Sequence, residues 1–237
     1  MTNIKEAIIL AGGLGTRLSE TVPGLPKSLA PVAGRPFLQY IMDYLYSQGI
    51  SRYIFSLGHR YELILKFLEE NFPNLAIAYC IEKTPLGTGG AIKLACSKLN
   101  SDDAFVLNGD TIFRVDLGAM SDYHHEKSAE CTIALKPMKN IDRYGVVELN
   151  ADGSIARFHE KKFFEDGFIN GGIYILNRDK FLQGDLPEKF SFEKDYLERN
   201  IDQMKIFGFV QDLYFIDIGV PEDYKRAQTE LLPFSKL

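Results

Sequence analysis

AIILAGGLGTR, residues 7–17, is an apolar run that breaks into glycines. Apolar residues without polar alternation fit a strand buried on both faces of a parallel sheet, because a half-exposed strand would alternate. Gly12, Gly13 and Gly15 follow the strand at its carboxyl end, where open α/β sheets bind ligands. Without Cβ atoms in the way, backbone N–H groups there can face an anion. Arg17 comes next, and PKSLAPV (26–32) then supplies Lys27. Two common phosphate fingerprints fail. GxGxxG meets Leu18 where its third glycine belongs, and GxxxxGK[ST] meets Pro26 before Lys27 and Ser28. What remains is a long glycine-rich turn with a planar forked cation and a compact one, both suited to phosphoryl oxygens.

Working outward, PFLQYIMDYLYSQG (36–49) begins with Pro36, ends at Gly49 and spaces Leu38, Ile41, Met42 and Leu45 as a helix does. RYIFSLG (52–58), LAIAYCI (75–81) and AFVLNGD (104–110) read as strands, and YELILKFLEENF (61–72) and GGAIKLACSKL (89–99) as helices. This alternation predicts an α/β fold whose parallel sheet is covered on both faces. The second half is more mixed. ECTIALK (130–136), YGVVEL (144–149), SIARFHEK (154–161), GGIYIL (171–176) and YFIDIG (214–219) read as strands, with helices over 191–200 and 221–232. No repeat or linker interrupts 1–237, which reads as one domain.

Composition narrows the partners. A net charge of −5 argues against a nucleic-acid partner, since backbone phosphates demand clustered cations. No apolar run reaches the length of a membrane span, and the apolar run of MTNIKEAIIL is too short for a signal peptide. Cys80, Cys96 and Cys131 show no metal or disulfide spacing and read as reduced core thiols, so a cytoplasmic location is expected. His59, His124, His125 and His159 read as surface or structural residues. The aromatics of YIMDYLY (40–46) suit a homo-oligomer surface or a helix core equally.

Taken in order, LAGGLGTRL, PKSLAPVAGRPFL, PLGTGGA (85–91), LNGD (107–110), EK (160–161), NGGIY (170–174) and DIGVPEDY (217–224) resemble the landmarks of the sugar-phosphate nucleotidyltransferases, along nearly the whole chain. Within that family, LNGDT, DRYG, INGGIY, KFSFE and YFIDIGVPEDY resemble the branch that joins GTP to D-glycero-D-manno-heptose 1-phosphate. The resemblance implies a Rossmann-like three-layer αβα fold with a mixed, mainly parallel sheet. Residues 1–115 would mainly bind the nucleotide and 116–237 the sugar phosphate. It also implies an enzyme that makes a nucleotide-sugar and pyrophosphate, for lipopolysaccharide, capsule or S-layer glycan.

In that reaction the sugar-phosphate oxygen attacks the α-phosphorus of the nucleoside triphosphate. A phosphate monoester is already largely ionised at neutral pH, so no general base is required. The barrier lies in bringing anions together and stabilising an in-line displacement. Arg17 and Lys27 are therefore the implied catalytic cations, with Mg²⁺ as cofactor. Asp110 and Asp217 each follow an apolar strand run, and such carboxylates are hard oxygen ligands for Mg²⁺. Taken singly, an Asp at a strand end is more often a turn former or an N-cap.

The resemblance places Leu10, Ala11, Gly12, Gly13, Gly15, Thr16, Glu82, Pro85, Gly87, Thr88, Asn108 and Gly109 around the nucleotide. It places Gly145, Glu160, Lys161, Asn170 and Gly172 around the sugar phosphate, Glu160 on a hydroxyl and Lys161 on the phosphate. Lys162 follows at once, and strand alternation would put only one of the two lysines on the site face. Guanine offers N1–H and N2–H₂ as adjacent donors that one carboxylate can accept. The loop IEKTPLGTGG (81–90) carries Glu82 and no Gln, which points to GTP over UTP. Mannose 1-phosphate with GTP, and glucose 1-phosphate with UTP, CTP or dTTP, are the alternatives. A non-catalytic nucleotide-sugar sensor would be expected to lack the cations or carboxylates that this chain retains.

Overall fold

The computed structural model describes residues 4–13 and 22–234. Gly15, Thr16 and Arg17 lie outside the described residues. After β1 (Glu6–Ala11) come a hairpin of β2 (Pro31–Val32) and β3 (Arg35–Pro36), α1 (Phe37–Ser47), β4 (Arg52–Leu57), α2 (Tyr61–Asn71), β5 (Ala76–Ile81), α3 (Gly87–Cys96) and β6 (Asp103–Asn108). The second half contains β7 (Thr111–Phe113), α4 (Leu117–Glu126), β8 (Cys131–Ile141), β9 (Val146–Leu149), β10 (Ile155–Phe158), β11 (Phe164–Asn177) and α5 (Arg178–Leu182). These are followed by a π-helical segment (Phe192–Leu197), β12 (Ile206–Val210), β13 (Phe215–Asp217) and α6 (Pro221–Glu230).

The central sheet runs β10-β9-β11-β6-β1-β4-β5, with β8 pairing both β11 and β12. Strands β6, β1, β4 and β5 are mutually parallel, whereas β11 is antiparallel to β6, β8 and β9. The sheet is thus mixed, with a parallel half built by the strand–helix alternation. β1 is buried on both faces, as its unbroken apolar run requires. Ala7 and Ile9 pack toward α1, α2 and α6, while Ile8 joins Ile54 and Val106 on the face carrying α3 and the π-helical segment. Each fully buried isoleucine contributes roughly 1.5–3 kcal/mol.

β11 changes register against β8 between Asn170 and Tyr174. Gly172 sits in that irregularity at φ +73°, a conformation glycine adopts without a Cβ penalty. A Cβ there would also lie 2.7 Å from Asn108 Nδ2. NGGIY is therefore a β-bulge, and bulges of this kind re-aim side chains beside active sites.

The second half departs from the sequence reading in several places. The strand expected over 154–161 ends at Phe158, so Glu160 and Lys161 belong to the following loop and strand alternation does not apply to them. The segment 191–200 winds as a π-helical turn and then a 3₁₀ turn, opened by Ser191, whose Oγ accepts from Lys194 N at 3.2 Å. β7 is too short to show a period, and Gly208 interrupts the apolar pattern of β12. α4 carries little apolar stripe, although Asp116 caps it by accepting from Ala119 N at 2.9 Å. On α1, Tyr40 and Tyr44 are buried and Tyr46 is 66% exposed.

Candidate active site

The site forms where β1 and β6 end side by side. Gly109 N donates to Leu10 O at 2.9 Å, and a Cβ on Gly109 would lie 2.7 Å from that oxygen. Ala11 is buried, whereas Gly13 faces open space. Beyond β6 the chain enters β7, which pairs antiparallel with β13 so that Thr111 stands opposite Asp217. Ile218 N donates to Asp110 O at 3.0 Å. The pairing thereby brings Asp110 and Asp217 to one place from distant parts of the chain.

Lys27 reaches the same place from a 3₁₀ turn (Lys27–Leu29), with Nζ 2.5 Å from Asp110 Oδ2. Its side chain is only 14% exposed. Asp217 Oδ1 accepts from Gly219 N at 2.6 Å. A Cβ on Gly219 would meet Asp217 Oδ1 at 2.7 Å and Lys27 Nζ at 3.0 Å, so the glycine allows lysine and carboxylate to close over it. Burial, and next the negative charge of Asp110, hold the Asp217 carboxyl above its ordinary range. Two carboxylates against one ammonium leave the cluster net negative. A triphosphate would be repelled there unless another cation joined it. The donor set fits Mg²⁺, which takes one or two protein carboxylates and completes its shell with water and phosphate oxygens. The described residues hold no cluster of three or more His, Cys, Asp or Glu side chains arranged for a metal.

Asp217 also lines a cavity of about 190 Å³ with Asn108, Gly145, Lys161, Asn170 and Gly172. All four of the sugar-phosphate candidates in that group therefore converge. Lys161 faces the cavity, while Lys162 turns away and sets its Nζ over the Phe164 ring, 5.0 Å from the centroid. The fifth candidate, Glu160, does not line the cavity. Its side chain is 82% exposed and its Oε1 lies 3.4 Å from Lys194 Nζ. Gly145 packs against the chain at His159, whose carbonyl oxygen would be 2.9 Å from an added Cβ.

On the nucleotide side, Glu82 packs against Gly12, where a Cβ would overlap Oε1. The carboxylate is oriented by two donors, Leu86 N to Oε2 at 3.1 Å and Ser56 Oγ to Oε1 at 3.3 Å. An ionised carboxylate has about four acceptor sites, so two remain for the edge of a base. Pro85 is exposed, and Gly87 opens α3 at φ +72°, hard against the Phe190 carbonyl. Thr88 spends its hydroxyl within the chain, donating to Glu193 Oε2 and accepting from Phe192 N, each at 2.8 Å.

Tyr144, Tyr174 and Glu193 line the cavity without having been singled out in the sequence. Each nevertheless sits inside a quoted motif: DRYG, NGGIY and KFSFE. Burial, with the charges of Asp217 and Asp223, pushes the Tyr144 hydroxyl up to about 12. Cys80, Cys96 and Cys131 are buried and unbridged, and burial pushes the Cys96 thiol up to about 12. No helix among the described residues is long and apolar enough to cross a membrane.

A glycine-rich strand end, a Lys–Asp–Asp cluster and an adjoining lysine-lined cavity are what nucleotidyl transfer requires. The family model for nucleotidyl transferase matches residues 6–233. The chain belongs to the nucleotidyl transferase family. This nucleotidyltransferase is 49% identical to the D-glycero-alpha-D-manno-heptose 1-phosphate guanylyltransferase of Aneurinibacillus thermoaerophilus, over 95% of this chain and 98% of that protein. It is 45% identical to the protein of the same name from Campylobacter jejuni, over 92% and 96%. The structure of HddC from Yersinia pseudotuberculosis complexed with GMP-PN matches with a TM-score of 0.85 at 35% identity, covering 96% of this chain and all (100%) of that one. The fold is that of the Rossmann-like nucleotide-sugar transferases, and the protein is an enzyme of that class.

Proposed function

We propose that the enzyme transfers a guanylyl group from GTP to D-glycero-D-manno-heptose 1-phosphate, releasing pyrophosphate. The observation that carries this reading is the Lys27–Asp110–Asp217 cluster abutting the cavity that Lys161 lines. Two relatives named as heptose 1-phosphate guanylyltransferases, and a related structure with GMP-PN, support the substrate pair. Mannose 1-phosphate, acted on by relatives at 32–33% identity, is the nearest alternative acceptor.

In this reading Gly12 and Gly13 present their backbone to the triphosphate, and Glu82 accepts the donors of guanine. Lys161 holds the sugar phosphate while Gly145, Asn170 and Gly172 shape the space around the sugar. The phosphate is its own nucleophile, so the chain supplies position and charge instead of a base. Lys27 and Arg17 neutralise the α-phosphoryl group and departing pyrophosphate. Asp110 and Asp217 would hold Mg²⁺, which when bound would supply the remaining positive charge on the phosphates. We place the reaction in the cytoplasm, where nucleoside triphosphates are made, and its product upstream of a lipopolysaccharide, capsule or S-layer glycan.

³¹P NMR of protein with GTP, heptose 1-phosphate and Mg²⁺ tests the chemistry. A GDP-sugar and pyrophosphate rising together, with loss of the sugar-phosphate signal, is the expected result. GTP breakdown with the sugar phosphate left intact would reject group transfer.

A further inference from the structure

Glu160 stands outside the sugar cavity, yet besides Asp217 a second carboxylate lines it. That carboxylate is Glu193, which enters from the π-helical segment beside Lys161, Asn170 and Gly172. Three hydroxyls fix its position. Tyr174 donates to Oε1 at 3.0 Å, and Thr88 and Ser191 donate to Oε2 at 2.8 and 3.1 Å. These partners are themselves held. Asn170 Nδ2 donates to the Tyr174 hydroxyl at 2.8 Å while Asn170 Oδ1 accepts from Gly172 N at 2.9 Å. Tyr174 is 1% exposed, so its hydroxyl has little freedom to turn elsewhere.

The carboxylate has about four acceptor sites and these donors fill three, leaving one on Oε1. Lys194, its neighbour in sequence, turns to Glu160 instead of neutralising it. A carboxylate oriented by three donors at the wall of a cavity, with an acceptor site to spare, is suited to a hydroxyl.

We propose that Glu193 reads the sugar, its Oε1 accepting one hydroxyl of the sugar 1-phosphate while Tyr174, Thr88 and Ser191 hold it in place. This rests on the cavity being the sugar-phosphate site. Through Thr88 the same carboxylate ties sugar recognition to the first turn of α3, beside the nucleotide loop.

The test pairs substrate and protein changes. Pyrophosphate release is measured with heptose 1-phosphate and its monodeoxy analogues, for wild type, Glu193→Gln and Glu193→Asp. One analogue should cost wild type about ten- to hundredfold in kcat/KM. The same analogue should cost Glu193→Asp, whose carboxylate no longer reaches the hydroxyl, less than about threefold. It should cost Glu193→Gln, whose neutral amide oxygen accepts more weakly, less than it costs wild type, while KM for GTP stays nearly constant. If Glu193→Gln fails to fold, the aspartate variant, with its carboxylate drawn back, carries the comparison. Identical deoxy profiles in wild type and variants would overturn the proposal and leave Glu193 as an anchor for α3. Wild type that turns over no sugar 1-phosphate would overturn the proposed function itself, and this inference with it.

Discussion

Thr111 and Asp217 face each other across the β7–β13 pair, and that register sets Asp217 beside Asp110. Two carboxylates at one point need neighbours that tolerate them. Lys27 supplies one, bonded to Asp110 Oδ2 at 2.5 Å, and an incoming cation would supply the other.

Lys27→Ala removes the only protein cation seen at the cluster among the described residues. In the proposed mechanism it meets charge that develops during the displacement, so kcat should fall by about a hundred- to a thousandfold. Asp110 keeps access to water, its side chain being 32% exposed, and the fold should survive. Circular dichroism and a thermal melt check this beside the kinetics. A near-wild-type kcat would reduce Lys27 to part of the loop's surface.

Asp217 carries a stability penalty that the proposed metal-binding role would explain. Burial and the Asp110 charge raise its carboxyl above the ordinary 3.8, so the folded chain binds a proton that the unfolded chain has released. Stability therefore falls as pH rises through that window, and the penalty is complete above it. In EDTA at pH 7, Asp217→Asn should melt higher than wild type, with the difference closing toward pH 4. It should be inactive. GTP with Mg²⁺ should raise the wild-type Tm and raise that of Asp217→Asn much less. Equal shifts would remove Asp217 from the metal.

Gly172→Ala tests the bulge. At φ +73°, with Asn108 Nδ2 within 2.7 Å of the new methyl, the substitution should destabilise by about 1–3 kcal/mol in urea denaturation. KM for the sugar phosphate should rise more than KM for GTP, since Gly172 and Asn170 line the sugar cavity.

Glu6 sits at the opposite end of β1 and tests the scaffold. It is 5% exposed, pairs with Arg52, and accepts from Asn100 N at 2.9 Å and Ser101 N at 2.6 Å. Burial alone would raise its carboxyl, but the bonds from Ser101, Arg52 and Asn100 outweigh it and hold the group below 4.5. It therefore stabilises the fold above about pH 4.5, and that stability is lost as pH falls through the lower folded value. Glu6→Ala should cost about 2–4 kcal/mol at pH 7, less in acid, with activity per folded molecule retained.

The parallel half of the fold was legible because apolar runs such as AIILA and helix periods such as that of 61–72 are set by burial alone. β7 was not, since its three residues carry no period, and it is β7 that positions Asp110. The motif EK singles out Lys161, which lines the cavity, although it follows β10, which ends at Phe158, so strand alternation does not place it. Glu193 is not legible because KFSFE reads as an ordinary helix start, whereas the structure winds a π-helical segment there and Glu193 lines the cavity. Glu160 shows the converse, a motif residue that stands exposed at 82%.

The most direct test of the account is pyrophosphate release with heptose 1-phosphate and Mg²⁺ across GTP, UTP, CTP, dTTP and ATP, for wild type and Glu82→Gln. Wild type should prefer GTP, and the variant should lose about a hundredfold with GTP while hardly changing with UTP. A wild-type preference for UTP or CTP, or equal losses with both nucleotides, would contradict it.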